Sequence, residues 1–203
     1  MKLREVVLKN FRDYYRETRI PVDDLTALIG KDDVGKSTIW EAHNIFFNQI
    51  KIDIGDRNVF HADEETIIGC IFDNLPTTIV LENVTTSLER EYLLNDNGTM
   101  EILKKYPANG KQTIWIRAKH PSNEGFDDLL LKKNNDLKTK IRSDGLEKQV
   151  NLTINSEMRC ALWASLGDSI TFETKLINTD QADEKSSGLK SNPFYLPIVF
   201  QSR

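Results

Sequence analysis

Two cysteines, three histidines, three tryptophans and six prolines are all that this 203-residue chain carries of those residue types. Cys70 and Cys160 lie far apart in apolar stretches, which excludes a disulfide-stapled scaffold and the paired-cysteine spacing of a structural zinc site. His43, His61 and His120 form no ligand pair either, so packing or surface roles are expected for them. No apolar run approaches the ~18 residues that a membrane span needs. The opening MKLREVVLKNF contains no uninterrupted apolar stretch of the signal-peptide kind. A cytoplasmic protein with no membrane contact is the expectation. The net charge of −4 argues against a globally basic nucleic-acid binder, while leaving room for a local patch.

What is present is more specific. Residues 30–38 read GKDDVGKST, a complete GxxxxGK[ST] phosphate-binding loop. In such a loop successive backbone amides point inward around the α- and β-phosphates, and the N-terminus of the next helix adds its own unpaired N–H groups. Gly30, Lys31, Asp32, Asp33, Val34 and Gly35 would form that loop, with the Lys31 side chain turned to solvent. Lys36 would reach the β- and γ-phosphates, the Ser37 hydroxyl would ligate Mg²⁺, and Thr38 would continue into the helix. The pattern requires a buried strand before it and a helix after it. Residues 25–29, LTALI, have the composition of a central parallel strand. Ile39, Trp40, Ala42, Ile45, Phe46 and Phe47 recur at spacings of three and four, which predicts an amphipathic helix.

The rest of the chain changes character twice. Residues 1–48 read as a nucleotide-binding start: a strand around Leu3 to Leu8, a turn over 12–19, then the strand, loop and helix. From 64 to 117 the pattern is β-type, with strands expected at 66–72, 78–84, 87–94, 100–106 and 113–118. Asn95 to Gly98 and Pro107 to Gly110 supply the turns of an antiparallel meander. Residues 122–192 read as helical. Phe126, Leu129, Leu130, Leu137 and Ile141 mark one amphipathic helix, SEMRCALWASL from Ser156 a second, and 181–191 a weaker third. A strand-like run over 194–201 leads to Gln201. A basic group, Lys132, Lys133, Lys138, Lys140 and Arg142, is diluted by Asp127, Asp128 and Asp136, so a solvated face is expected over a DNA-binding one.

One element of a P-loop ATPase is not found: an apolar strand ending in paired acids, which holds Mg²⁺ and polarises the attacking water. The nearest approaches end at Asp73 and Glu82, and each lies inside the meander. A compact small-molecule kinase or GTPase is disfavoured for the same reason, and because a meander follows the loop's helix instead of repeated βα units.

The segments KLREVVLKNFRDY, GKDDVGKST, IWEAHNIFF, SEMRCALWASLGD and YLPIVFQSR together resemble the ATPase region of OLD-family ATP-dependent endonucleases, relatives of the SMC and RecF-like ABC ATPases. The resemblance implies an α/β fold: a single P-loop ABC-type half domain over 1–203 with an antiparallel β meander and a helical insert. It implies ATP and Mg²⁺ as ligands and a homodimer formed through the nucleotide site. It also implies DNA as a partner of the full-length protein. Arg12 in the NFR segment would reach toward the nucleotide, and Gln201 would be the Q-loop residue that contacts Mg²⁺ and senses the γ-phosphate. The catalytic acids and the nuclease domain would lie beyond this chain. The competing reading is an interaction module whose degenerate loop binds no nucleotide.

That competitor rests on Asp32 and Asp33, two adjacent carboxylates in a loop built for phosphate, where like charge opposes binding. Asp32→Asn is therefore expected to raise nucleotide affinity in titration calorimetry, and an unchanged affinity would remove the carboxylate argument.

Overall fold

The computed structural model describes residues 1–29, 35–48, 50–82 and 84–179, and the predicted 181–191 helix and 194–201 strand lie outside them. The chain folds as two compact units, Met1–Leu75 with Asn95–Arg117, and Pro76–Leu94 with the residues from Ala118 onward. The fold class is α/β, as expected, with an antiparallel sheet and three α-helices among the described residues.

In the first unit β1 (Lys2–Lys9) pairs on one side with β2 (Thr18–Pro21) and on the other with β3 (Thr66–Asp73), which in turn pairs with β6 (Met100–Tyr106) and then β7 (Thr113–Pro121), every pair antiparallel. The β6–β7 connection uses the predicted Pro107 to Gly110 turn, and Gly110 sits at φ +125°. The strand alternation sends Val6, Leu8, Ile68, Cys70, Phe72 and Ile102 to one face, and the core side chains are fully or almost fully buried. Gly69 lies mid-strand because the sheet is tightest there: a Cβ would stand 2.4 Å from Leu103 Cδ2 and 3.2 Å from Val7 Cβ.

Helix α1 (Lys36–Asn48) buries Thr38, Ala42, Ile45 and Phe46; of the stripe read from the sequence Ala42, Ile45 and Phe46 face the core, whereas Trp40 is 67% exposed. Its last turn is tied down by Lys104 of β6, whose ammonium donates to the Phe46 carbonyl at 2.6 Å and lies 4.9 Å from the Phe46 ring centre. A cation at a helix C-terminus meets both an orphan carbonyl and the negative end of the dipole. Burial pushes the Lys104 pKa down, and these contacts offset that cost.

The opposite face of the sheet carries charge. Glu101, buried on β6, accepts from Arg19 of β2 and Arg117 of β7, each at 2.9 Å. Glu17 binds Arg117 through two bonds of 2.9 and 3.1 Å.

Several expected elements are corrected. Residues 25–29 form no strand: Leu25 and Ile29 are 92% and 94% exposed, and the local bonds there are a turn in which Thr26 Oγ1 accepts from the Asp23 amide at 2.8 Å. A strand needs a neighbour to pair with, and none lies beside this run among the described residues. The run 78–84 is a hairpin of β4 (Ile79–Leu81) and β5 (Val84–Thr86), with Glu82 at φ +51°. Residues 87–94 form turns instead of a strand, and β2 extends from the predicted 12–19 turn.

In the second unit the single amphipathic helix of the sequence reading is broken into a short 3₁₀ turn, Leu129–Leu131, and α2 (Asn134–Ser143). Helix α3 (Asn155–Ser165) follows almost as predicted. Strand β8 (Phe172–Asn178) corrects the mostly helical reading of this region. The centre of this unit is Arg159 of α3, fully buried, donating to Glu91 at 2.8 Å and Glu82 at 2.9 Å. Thr86 donates to Glu91 at 3.0 Å, Asn155 to Glu82 at 3.0 Å, and Asn134 of α2 to Asn155 at 2.7 Å. One polar network thus ties the hairpin, the 87–94 turns, α2 and α3 together. Beside it, Trp163 packs edge-on against Tyr92 and His120, with its indole N–H donating to the Phe126 carbonyl at 2.8 Å. Burial holds the His120 pKa below its usual value.

Two outcomes follow from these charged clusters. The Arg117 hydrogen bonds hold the Glu17 carboxyl below the usual carboxylate range. Its folded-state pKa is thus below the unfolded one, so its stabilisation is present at neutral pH and is lost as pH falls through the folded value. In pH-dependent urea melts the advantage of wild type over Glu17→Gln should shrink on acidification. Arg159→Ala should cost about 3–5 kcal/mol in urea denaturation, because it strands the buried Glu91 carboxylate.

Candidate functional site: the start of helix α1

The described part of the phosphate-loop motif begins at Gly35, while Gly30, Lys31, Asp32, Asp33 and Val34 lie outside the described residues, as does Gln201. Gly35 adopts φ +72°, a left-handed conformation that glycine enters at least cost. Lys36 is then the first residue of α1. Ser37 is exposed and Thr38 is buried against the unit's core. The serine hydroxyl predicted to ligate Mg²⁺ is thus on the open side of the first turn, beside helix amides that have no intrahelical partner.

Against this turn stands the NFR segment. Asn10 and Arg12 both have positive φ, +51° and +48°. Asn tolerates that region, whereas an arginine there is held by its surroundings. The Arg12 amide donates to the Asp56 carbonyl at 2.9 Å, and Asn58 Nδ2 donates to the Arg12 carbonyl at 2.7 Å. Bent in this way, the guanidinium lies between two carboxylates: Nη2 to Asp56 at 2.8 Å and Nη1 to Glu41 of α1 at 2.7 Å. Arg12 is therefore a brace between the strand end, the helix and the short 3₁₀ turn Ile54–Asp56. Asp53 caps that turn through the Gly55 and Asp56 amides, and the Asp56 carboxylate returns to the Asp53 amide at 3.1 Å.

A pocket of about 340 Å³ opens here, lined by Arg12, Glu41, Asn44, Lys51, Asp53 and Asp56 among others. A shallower depression along the outer side of α1 includes Ser37, Trp40, Glu41 and His43. His43 leans on the Phe47 ring with centroids 4.5 Å apart, and burial lowers its pKa; it is a packing residue, as the sequence suggested.

Tyr14 is the residue that sequence reading passed over. Its ring stands where a Cβ on Gly35 would fall, with Cε2 and Oη both 3.2 Å from that point. A two-residue turn carries it, since Phe11 and Tyr14 exchange backbone bonds of 3.1 and 2.9 Å. Glu41 and Asp56 were likewise unread. The Asp53-x-x-Asp56 spacing is the one signal in the sequence that could have flagged that turn.

The two strand-terminal acids weighed as metal ligands are both engaged elsewhere, Asp73 with Arg4 and Glu82 with Arg159. Among the described residues no cluster of His, Cys, Asp or Glu has the makings of a metal site. In the basic group of the second unit, Lys132 pairs with Asp128 at 2.7 Å, and Lys140 lies 3.7 Å from the Phe126 ring centre and 3.6 Å from Asp144. Both charges are locally satisfied, in keeping with a solvated face. Among the described residues, no helix is long and apolar enough to cross a membrane.

No curated protein matches the chain. A solved structure described under "Structural biochemistry of ATP-driven dimerization and DNA stimulated activation of SMC ATPases" is similar over 58% of this chain and 70% of that one, at 14% identity and a TM-score of 0.42. The family profile of the AAA ATPase domain matches residues 1–194. With that match spanning nearly the whole sequence, and with Gly35, Lys36 and Ser37 opening a helix where a phosphate loop requires one, the chain belongs to the AAA ATPase domain family.

Proposed function

We propose that this domain binds Mg-ATP as the N-terminal, ABC-type half of an OLD-like ATP-dependent endonuclease acting in DNA processing or phage defence. The observation that carries the reading is the GKDDVGKST loop in a chain of the AAA ATPase domain family, with its final glycine left-handed and its lysine opening α1. The assigned roles follow. Residues 30–35 cradle the α- and β-phosphates, Lys36 neutralises the β- and γ-phosphates, and Ser37 and Gln201 ligate Mg²⁺, with Thr38 securing the helix from within. Mg²⁺ would supply neutralisation of the charge shared between the phosphates. Arg12 belongs to the same site through Glu41, one and a half turns along the helix that starts at Lys36.

Nucleotide-dependent pairing of two copies, and DNA as the partner of the full-length protein, complete this proposal. Its support is the set of segments shared with OLD-family ATPase regions. Turnover needs an acidic strand that this sequence does not display, so binding is the activity assigned to the chain itself. The adjacent carboxylates Asp32 and Asp33 favour the second reading, a degenerate loop on an interaction module.

Nucleotide binding separates the two. At about a hundredfold excess over Kd, a ligand stabilises the folded state by about 2.7 kcal/mol. For a protein of this size that is a rise in Tm of roughly 5–10 °C. Mg-ATP should produce such a rise, and Lys36→Ala should abolish it. Absence of any shift, or a shift that survives Lys36→Ala, would favour the interaction module.

A further inference from the structure

We infer that Tyr14 is a positioning residue for Gly35, the last glycine of the phosphate-loop motif. Its ring occupies the side of Gly35 on which a Cβ would project and so holds the conformation in which Lys36 starts α1. This inference rests on the nucleotide-binding reading above and names a residue that the motif itself does not contain.

Three observations carry it. The ring is in direct contact range of Gly35: the nearest positions, Cε2, Oη and Cζ, lie 3.2, 3.2 and 3.4 Å from where a Cβ would stand. At that separation even one added carbon requires the ring to move. Gly35 at φ +72° is also the hinge between loop and helix, so its backbone angles set where the following amide and the lysine point. A glycine is free to leave that conformation, and its freedom is an entropic cost at each binding event. A neighbouring ring that leaves no space on one side removes part of that freedom before ligand arrives.

The backbone of Tyr14 is fixed by its turn. The paired backbone bonds with Phe11 set its position, and Phe11 is fully buried. The same bend carries Arg12, whose guanidinium grips Glu41 on α1. The strand end therefore contacts the helix twice: Arg12 at its middle through charge, and Tyr14 at its first turn through shape.

The test compares Tyr14→Phe and Tyr14→Ala for Mg-ATP affinity by titration calorimetry, well below the melting temperature of each variant. Tyr14→Phe keeps the ring and should bind within about twofold of wild type. Tyr14→Ala should bind roughly tenfold more weakly, the scale of one residue, Gly35, whose backbone must be fixed on binding. A purely structural tyrosine would lower Tm without changing the affinity of the folded protein, so equal affinity in Tyr14→Ala overturns the inference. Equal losses in both variants overturn it as well, because the hydroxyl would then be the active group. If wild type itself binds no Mg-ATP, the nucleotide-binding reading fails first and this inference falls with it.

Discussion

The attachment of helix α1 to its sheet is the constraint on which the rest of the first unit depends. Apolar packing of Ala42, Ile45 and Phe46 supplies the driving force, but hydrophobic contact is non-directional and does not fix where a helix starts. Contacts of fixed direction or shape do that here. Lys104 takes the carbonyl of Phe46 at the far end, Arg12 takes Glu41 in the middle, and Tyr14 stands against Gly35 at the near end. All three come from the sheet or from the turn that ends β1. The site at the helix start is thereby referred to the sheet, the most extensively hydrogen-bonded part of the unit.

Arginines paired with carboxylates recur as the organising device. Arg12 sits between Glu41 and Asp56, Arg117 and Arg19 share Glu101 and Glu17, and Arg159 is buried between Glu82 and Glu91. The planar guanidinium can bind two partners in fixed directions, which suits positions where separate chain segments must be held in register. The cost of burying such charges is high, and a single lost partner leaves the other uncompensated. These clusters therefore specify the arrangement more than they add net stability. They also account for acids that might otherwise be taken for metal ligands, since Asp73 and Glu82 each face an arginine.

Much of the fold was legible. The boundaries of β3, β6 and α3 fall within a residue or two of the sequence reading, because alternation and 3.6-residue periodicity are local properties of those stretches. The failures have a common cause. Residues 25–29 have strand composition and no neighbouring strand among the described residues, Glu82 at φ +51° turns the chain in the middle of an apparent strand, and Tyr92 at +51° does the same among the 87–94 turns. In each case the deciding factor is pairing or backbone handedness, which side-chain hydropathy does not encode. At the site, the motif residues were readable by type and spacing and Asp56 was marked only by its spacing from Asp53, whereas nothing local marks Tyr14 or Glu41, which act across the fold.

The sequence by itself determined the ligand class and the polarity of the loop, because a phosphate site is built from backbone amides, a lysine and a hydroxyl at consecutive positions. It determined the amphipathic stripe of α1 for the same reason, one turn of helix being a local unit. Tertiary structure alone decided which groups hold helix α1 and its neighbouring turn in place. Arg12 reaches Asp56 across 44 positions and Lys104 reaches Phe46 across 58, and contacts of that separation exist only once the sheet has brought β1, β3 and β6 together.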